Sequence, residues 1–143
     1  MRADVLLVDD DADSREFVGR FLEKSGHAVR YAKDGHEALN ALGWAVPDLI
    51  ILDYRMPDMD GVSVLGVLRS YLRWTHVPVV FLTAYPNEPR LQEAKELGVE
   101  HVFVKSHFRL DELATFIDEH VHAPPAAQPP PEPYHKPGIG EER

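Results

Sequence analysis

Five short apolar runs recur between Val5 and Val104, and each is followed by a stretch in which apolar residues return every three or four positions. The runs cover residues 5–8, 28–31, 49–52, 79–82 and 102–104. They are too short for helices and are mostly Val, Ile, Leu or Phe. Four are continuously apolar, as expected of parallel strands covered on both faces. A cap at Asp11 or at Asp13, the latter with Glu16 three residues later, predicts a helix with Phe17, Val18, Phe21 and Leu22 on one face and Gly26 as its stop. Asp34 and Glu37 repeat that arrangement before Ala38, Leu39, Ala41 and Leu42, with Gly43 as the stop. A third helix follows Gly61 and turns Val64, Leu65, Leu68 and Leu72 inward. Leu91, Ala94 and Leu97 mark a fourth, ended by Gly98. Leu110, Leu113, Phe116, Ile117 and Val121 mark a fifth.

Strictly alternating strands and helices imply right-handed crossovers and an α/β fold with helices on both faces of an open parallel sheet. Five strands fit the flavodoxin-like order 2-1-3-4-5. The pattern stops after His122. Seven of the twelve prolines fall between Pro124 and Pro137, a composition that builds neither helix nor sheet. The expected division is a folded domain over residues 1–122 and a proline-rich, disordered tail over 123–143. The Pro130 to Pro133 spacing matches PxxP, which a proline-rich run produces by chance.

With 143 residues, a body of this size can bury a core without staples, and the absence of cysteine removes disulfides, zinc–thiolate sites and thiol nucleophiles. No apolar run approaches membrane-spanning length and the amino terminus lacks a signal-peptide pattern, so a cytoplasmic protein away from the membrane is expected. A net charge of -9 weighs against direct nucleic-acid binding, which needs a basic patch to displace counterions. The acidity also has a local aspect. Asp9 and Asp10 follow the first strand, Asp53 the third, Thr83 the fourth and Lys105 the fifth. In an open parallel sheet these positions converge on one edge, where ligands bind at the switch point. Three crowded carboxylates repel one another unless a cation sits among them. Mg²⁺, hard and oxygen-seeking, suits such a set. A carboxylate can also attack phosphorus to give an aspartyl phosphate, a transfer driven mainly by positioning and charge neutralisation.

The chain resembles the receiver domains of two-component response regulators, across residues 5–121. The matching pieces are Val-Leu-Leu-Val-Asp-Asp-Asp, then Asp53-Tyr-Arg-Met-Pro-Asp-Met-Asp-Gly61, then Phe-Leu-Thr83-Ala, then Val-Phe-Val-Lys105. The resemblance implies that Asp53 is the phosphoacceptor. It implies that Asp9, Asp10, Asp53 and the backbone carbonyl of Arg55 hold Mg²⁺, and that Thr83 and Lys105 contact the phosphoryl group and switch the domain. It also implies a sensor histidine kinase or a histidine phosphotransfer protein as donor.

Three departures qualify the pattern. The family's lysine is usually followed by proline through a cis bond, whereas here Ser106, His107 and Phe108 follow; the loop is expected to be trans, one residue longer, or strained. The family's switch aromatic lies three residues before the lysine, where this chain has Val102, and Phe103 should face the other way by strand alternation. Arg55 and Tyr85 stand two beyond Asp53 and Thr83 and are expected to shield an acyl phosphate from water, slowing hydrolysis.

Two rival readings share the pattern. One is a receiver-like interaction module that works without phosphorylation. The other is a haloacid-dehalogenase-type phosphatase, which uses a D-x-D motif that Asp9-Asp10-Asp11 contains. That family wants Thr or Val where Asp13 stands. The eight histidines, His36, His76 and His120 among them, show no ligand spacing. Trp44 and Trp74 are expected to pack. A stand-alone receiver of this kind would act through protein contacts on the face of its fourth helix, fifth strand and fifth helix. It would be a monomer or a phosphorylation-dependent dimer. Pro86 and Pro89 shorten or stiffen the approach to the fourth helix.

Overall fold

In the computed structural model, which describes residues 2–121, strand and helix alternate from Asp4 to His120. The elements are β1 (Asp4–Val8), α1 (Ala12–Lys24), β2 (Ala28–Ala32), α2 (Gly35–Trp44), β3 (Leu49–Leu52), α3 (Gly61–Arg69), β4 (Val79–Thr83), α4 (Leu91–Glu96), β5 (His101–Val104) and α5 (Leu110–His120). The proline-rich stretch expected over residues 123–143 lies outside the described residues. The five strands form one parallel sheet in the order β2-β1-β3-β4-β5. This is the flavodoxin-like fold expected from the alternation.

Strand alternation sorts the apolar residues into two cores. Leu6, Val8, Ile50, Leu52, Val79 and Phe81 face α2, α3 and α4, meeting Ala38, Leu42, Val64, Leu65, Leu68, Leu91 and Ala94. Val5, Leu7, Leu49, Ile51, Val80, Leu82 and Phe103 face α1 and α5, meeting Val18, Leu22, Leu113, Phe116 and Ile117. The central β3 is buried throughout, which explains its unbroken Leu-Ile-Ile-Leu sequence. Val102 packs on the first core and Phe103 in the second. The face of β5 that adjoins Thr83 therefore carries Val102 rather than an aromatic ring.

Several local expectations are corrected. Asp11, not Asp13, caps α1: its backbone is extended and its carboxylate accepts the Asp13 amide at 3.2 Å. Glu16 instead pairs with Arg20 one turn on. Phe17 is exposed because Val18, Gly19 and Leu22 take the inward stripe of α1. Gly43 does not stop α2, which runs to Trp44. The Arg30 guanidinium caps its end by donating to the carbonyls of Ala41 (2.8 Å) and Ala45 (2.7 Å). Trp44 sits two residues, and so more than half a turn, beyond the buried Leu42; it points outward rather than packing. Leu72 is also exposed: α3 ends at Arg69 and helical periodicity no longer governs it. Trp74 does pack, among the first core.

The other stops hold. Gly26 and Gly98 adopt φ of 96° and 81° after α1 and α4, left-handed conformations that a side chain would disfavour. α4 is the shortest helix among the described residues, six residues with no side-chain cap, and it follows the Pro86 and Pro89 segment.

Candidate functional site

The parallel ladder continues past the ends of three strands and carries the polar residues with it. The Asp9 amide donates to the Ala32 carbonyl at 3.0 Å, the Asp53 amide to Val8 at 2.9 Å, and the Lys105 amide to Thr83 at 2.8 Å. These residues thus start from fixed sheet register, a firmer base than a free loop. Each peptide joining Lys105, Ser106 and His107 is trans, since no cis bond occurs among the described residues. A turn closes on the Val104 carbonyl through the His107 amide at 2.9 Å. Proline is therefore not needed to deliver Lys105.

The expected residues converge. One carboxylate oxygen from each of Asp9, Asp10 and Asp53 lies within 4.8 Å of the others. The Lys105 ammonium bridges two of them, 3.0 Å from Asp9 Oδ2 and 3.2 Å from Asp53 Oδ2. Asp9 Oδ1 accepts the Asp11 amide at 2.9 Å, which turns its other oxygen toward the lysine. Asp9 and Asp53 are buried, whereas Asp10 opens to solvent. Thr83 is fully buried at the end of β4, and its Oγ1 accepts the Tyr85 amide at 3.0 Å. That bond uses a lone pair of the hydroxyl and leaves its proton free to be donated.

The electrostatics are unbalanced. Burial pushes the Asp53 carboxyl up to about 7, the charge of Asp9 adds to this, and Lys105 opposes it. Burial would depress the Lys105 ammonium, but its contacts with Asp9 and Asp53 outweigh that and raise it. One lysine does not neutralise three carboxylates, two of them buried. An all-oxygen donor set with surplus negative charge could hold a hard divalent cation.

Arg55 and Tyr85 also meet, through contacts that no motif announces. The Arg55 guanidinium stands 3.8 Å from the Tyr85 ring centroid and is ion-paired with Glu88. The same two loops are joined again by Arg90, which donates to Asp60 at 2.6 Å and to Ser63 Oγ at 3.3 Å. Asp60 meanwhile caps α3 by accepting the Ser63 amide at 2.8 Å. The cap is readable from a three-residue spacing; the Arg55–Glu88 pair, 33 residues apart, is not.

Asp34, His36 and Asp58 form a second cluster. Asp58 accepts the amides of Gly35 (3.1 Å) and His36 (2.9 Å), so it docks the β3–α3 loop on the start of α2. Burial would raise its carboxyl, but these donors and the His36 ring hold it well below the usual carboxylate range.

Comparison with known proteins matches this geometry. The family described as "response regulator receiver domain" covers residues 5–118. Sporulation initiation phosphotransferase F of Bacillus subtilis is 31% identical over 121 residues, 85% of this chain and 95% of that protein. The chemotaxis protein CheY4 of Vibrio cholerae superposes with a TM-score of 0.76 at 32% identity, covering 84% of this chain and 99% of that one. The Mn²⁺-bound form of response regulator Rcp1 gives 0.71 at 28% identity, covering 82% of this chain and 92% of the other.

Proposed function

This chain belongs to the response regulator receiver domain family, and from that premise we propose that it is a phosphoacceptor whose reactive group is Asp53. Family membership sets aside the dehalogenase-type phosphatase. The observation that carries the proposal is the buried Asp53 carboxylate held 3.2 Å from Lys105 and clustered with Asp9 and Asp10.

In the proposed reaction an oxygen of Asp53 attacks the phosphorus of a phosphohistidine on a sensor histidine kinase or histidine phosphotransfer protein. A P–O bond forms, the P–N bond breaks, and the imidazole leaves with a proton from solvent. Asp9, Asp10, Asp53 and the Arg55 carbonyl would hold Mg²⁺, which, when bound, supplies counter-charge to the phosphoryl oxygens. That the similar response regulator Rcp1 has a Mn²⁺-bound form supports the reading that a divalent cation binds here. Lys105 already contacts the acceptor and would follow its charge onto the phosphoryl group. Thr83 would donate its uncommitted hydroxyl proton to a phosphoryl oxygen, a contact available only after transfer. Such a contact biases a two-state equilibrium.

The shift would be read by a downstream protein on the α4–β5–α5 face. Because that face offers Val102 in place of an aromatic, the signal passes by displacement of Thr83 and the β4–α4 loop rather than by a rotating ring. The protein is read as a cytoplasmic relay component that takes phosphoryl groups, including from small donors, and slowly loses its own. No helix among the described residues is long and apolar enough to cross a membrane. We assign residues 1–122 to the receiver unit. Beryllofluoride with Mg²⁺ tests the switch by NMR. The amides of Thr83, Ala84 and Lys105 should shift in the wild type and stay in place in Asp53→Asn. Wild-type shifts confined to Asp9 and Asp10, as from cation binding alone, would refute it.

A further inference from the structure

Thr83 does not move toward a phosphoryl oxygen alone. Its Oγ1 accepts the Tyr85 amide at 3.0 Å, so the start of the β4–α4 loop travels with it. Whatever resists that travel is part of the switch. The backbone offers little resistance: among the described residues, the backbone hydrogen bonds of residues 84–90 stay within the loop and the first turn of α4. The Glu88 amide donates to the Tyr85 carbonyl at 3.4 Å and the Leu91 amide to the Glu88 carbonyl at 3.0 Å.

Two arginines tie the loop to its neighbour instead. Arg55, on the β3–α3 loop, is ion-paired with Glu88, and its guanidinium lies 3.8 Å from the Tyr85 ring centroid. Arg90, at the start of α4, donates to Asp60 at 2.6 Å and to Ser63 Oγ at 3.3 Å. Each loop thus contributes one arginine and one carboxylate. The two carboxylates are largely shielded, with 24% of the Glu88 side chain and 23% of the Asp60 side chain exposed, so salt screens these pairs less than pairs in open solvent.

The β3–α3 loop is the fixed side of this contact. Its Asp53 amide is bonded to Val8, its Gly61 amide to Tyr54, and its Asp58 carboxylate to the amides of Gly35 and His36. The opposite side leads into α4, six residues without a side-chain cap. A shift of Thr83 toward Asp53 therefore draws Glu88 and Arg90 away from partners that stay in place, and both ion pairs stretch.

We propose that the Arg55–Glu88 and Arg90–Asp60 pairs form a double latch that holds the resting conformation and sets how readily the domain switches. This inference rests on the reading of Asp53 as the acceptor. Glu88 and Arg90 are positioning residues in it, acting through the loop and not on the phosphoryl group. Releasing one partly exposed ion pair moves a two-state equilibrium about two- to five-fold. Where the switched conformation is the minor one, the apparent affinity of a ligand that selects it rises by the same factor.

NMR titration of beryllofluoride with Mg²⁺ into the full-length wild type, Glu88→Gln and Arg90→Met tests the latch. Each variant should bind about two- to five-fold more tightly than the wild type. Before any beryllofluoride is added, its Thr83 and Ala84 amide signals should already lie closer to their bound positions. The two substitutions change the local charge with opposite signs. A purely electrostatic effect on anion binding would tighten Glu88→Gln and weaken Arg90→Met, and that split would overturn the proposal. So would an affinity equal to or below that of the wild type in both variants. Damage to the fold weakens binding and cannot imitate a gain. A wild type that binds no beryllofluoride would instead refute the acceptor reading of Asp53, and the latch would fall with it.

Discussion

Replacing Gly61 by alanine tests how closely the acceptor loop is packed behind the site. A Cβ at that position would lie 2.5 Å from the Asp53 carbonyl oxygen and 3.1 Å from Tyr54 Cα, where ordinary contacts begin at 3.4 Å. The obstructing atoms are backbone and are tied down. The Gly61 amide donates to the Tyr54 carbonyl at 2.6 Å and the Asp53 amide to Val8 at 2.9 Å. Forcing a methyl group into a packed site costs about 1–3 kcal/mol. Alanine recovers about 0.5–1 kcal/mol over glycine in a helix, less in its first turn. The expected net loss is about 1–2 kcal/mol, or about 4–8 °C in Tm for a domain of this size. Gly66, five residues on in α3, has nothing within 4 Å of such a Cβ. Gly66→Ala should therefore gain about 0.5–1 kcal/mol. Urea unfolding of the two variants beside the wild type reads both signs. Mg²⁺ titration should show weaker binding in Gly61→Ala only, because the displaced peptide is that of Asp53. Equal stability for the two variants would refute the close approach and the reasoning built on it.

Three further outcomes follow from named contacts. Arg69→Met should lower stability by about 2–4 kcal/mol, because four carbonyls at two turns lose a charged donor; a loss below about 1 kcal/mol in urea would contradict the bracing role. His27 is buried and its Nδ1 accepts the Ala3 amide at 3.0 Å; burial, partly offset by Asp118, lowers its pKa below the ordinary 6.5. Its contribution to stability is thus complete above pH 6.5 and declines as pH falls through the lower folded value. His27→Gln keeps an acceptor and should flatten that decline in unfolding curves across acidic pH. Arg55→Ala and Tyr85→Ala remove the stacked pair beside the acceptor loop and should each shorten the lifetime of the phosphorylated protein several-fold, read by loss of the added mass with time. Unchanged lifetimes would show that the pair does not shield the acyl phosphate.

The fold and the site were legible in the sequence to different depths. Strand runs such as residues 49–52 were plain because parallel strands buried on both faces admit little but Val, Ile and Leu. The site was plain because each polar residue directly follows such a run, so topology alone brings Asp9, Asp53, Thr83 and Lys105 to one edge. Helix ends were harder. Arg30, distant in sequence, caps α2 and lets Gly43 remain helical, and Asp11 outcompeted Asp13 because an extended residue was needed at the cap. Periodicity also misjudged Phe17 and Leu72, whose burial depends on a neighbouring stripe and on where α3 stops. Contacts between loops, such as Arg55 with Glu88, leave no spacing to read. Nor did the absence of proline after Lys105 decide its position, because the sheet amide of Lys105 and the following turn place it without one.

The central claim is that Asp53 accepts a phosphoryl group with the help of a divalent cation. Intact mass after incubation with acetyl phosphate and Mg²⁺ addresses it directly, for the wild type and for Asp53→Ala. The account predicts a gain of one phosphoryl group in the wild type, and none in the variant or when the cation is chelated. A wild-type chain that stays unmodified while folded, or a variant that gains the same mass, would contradict it.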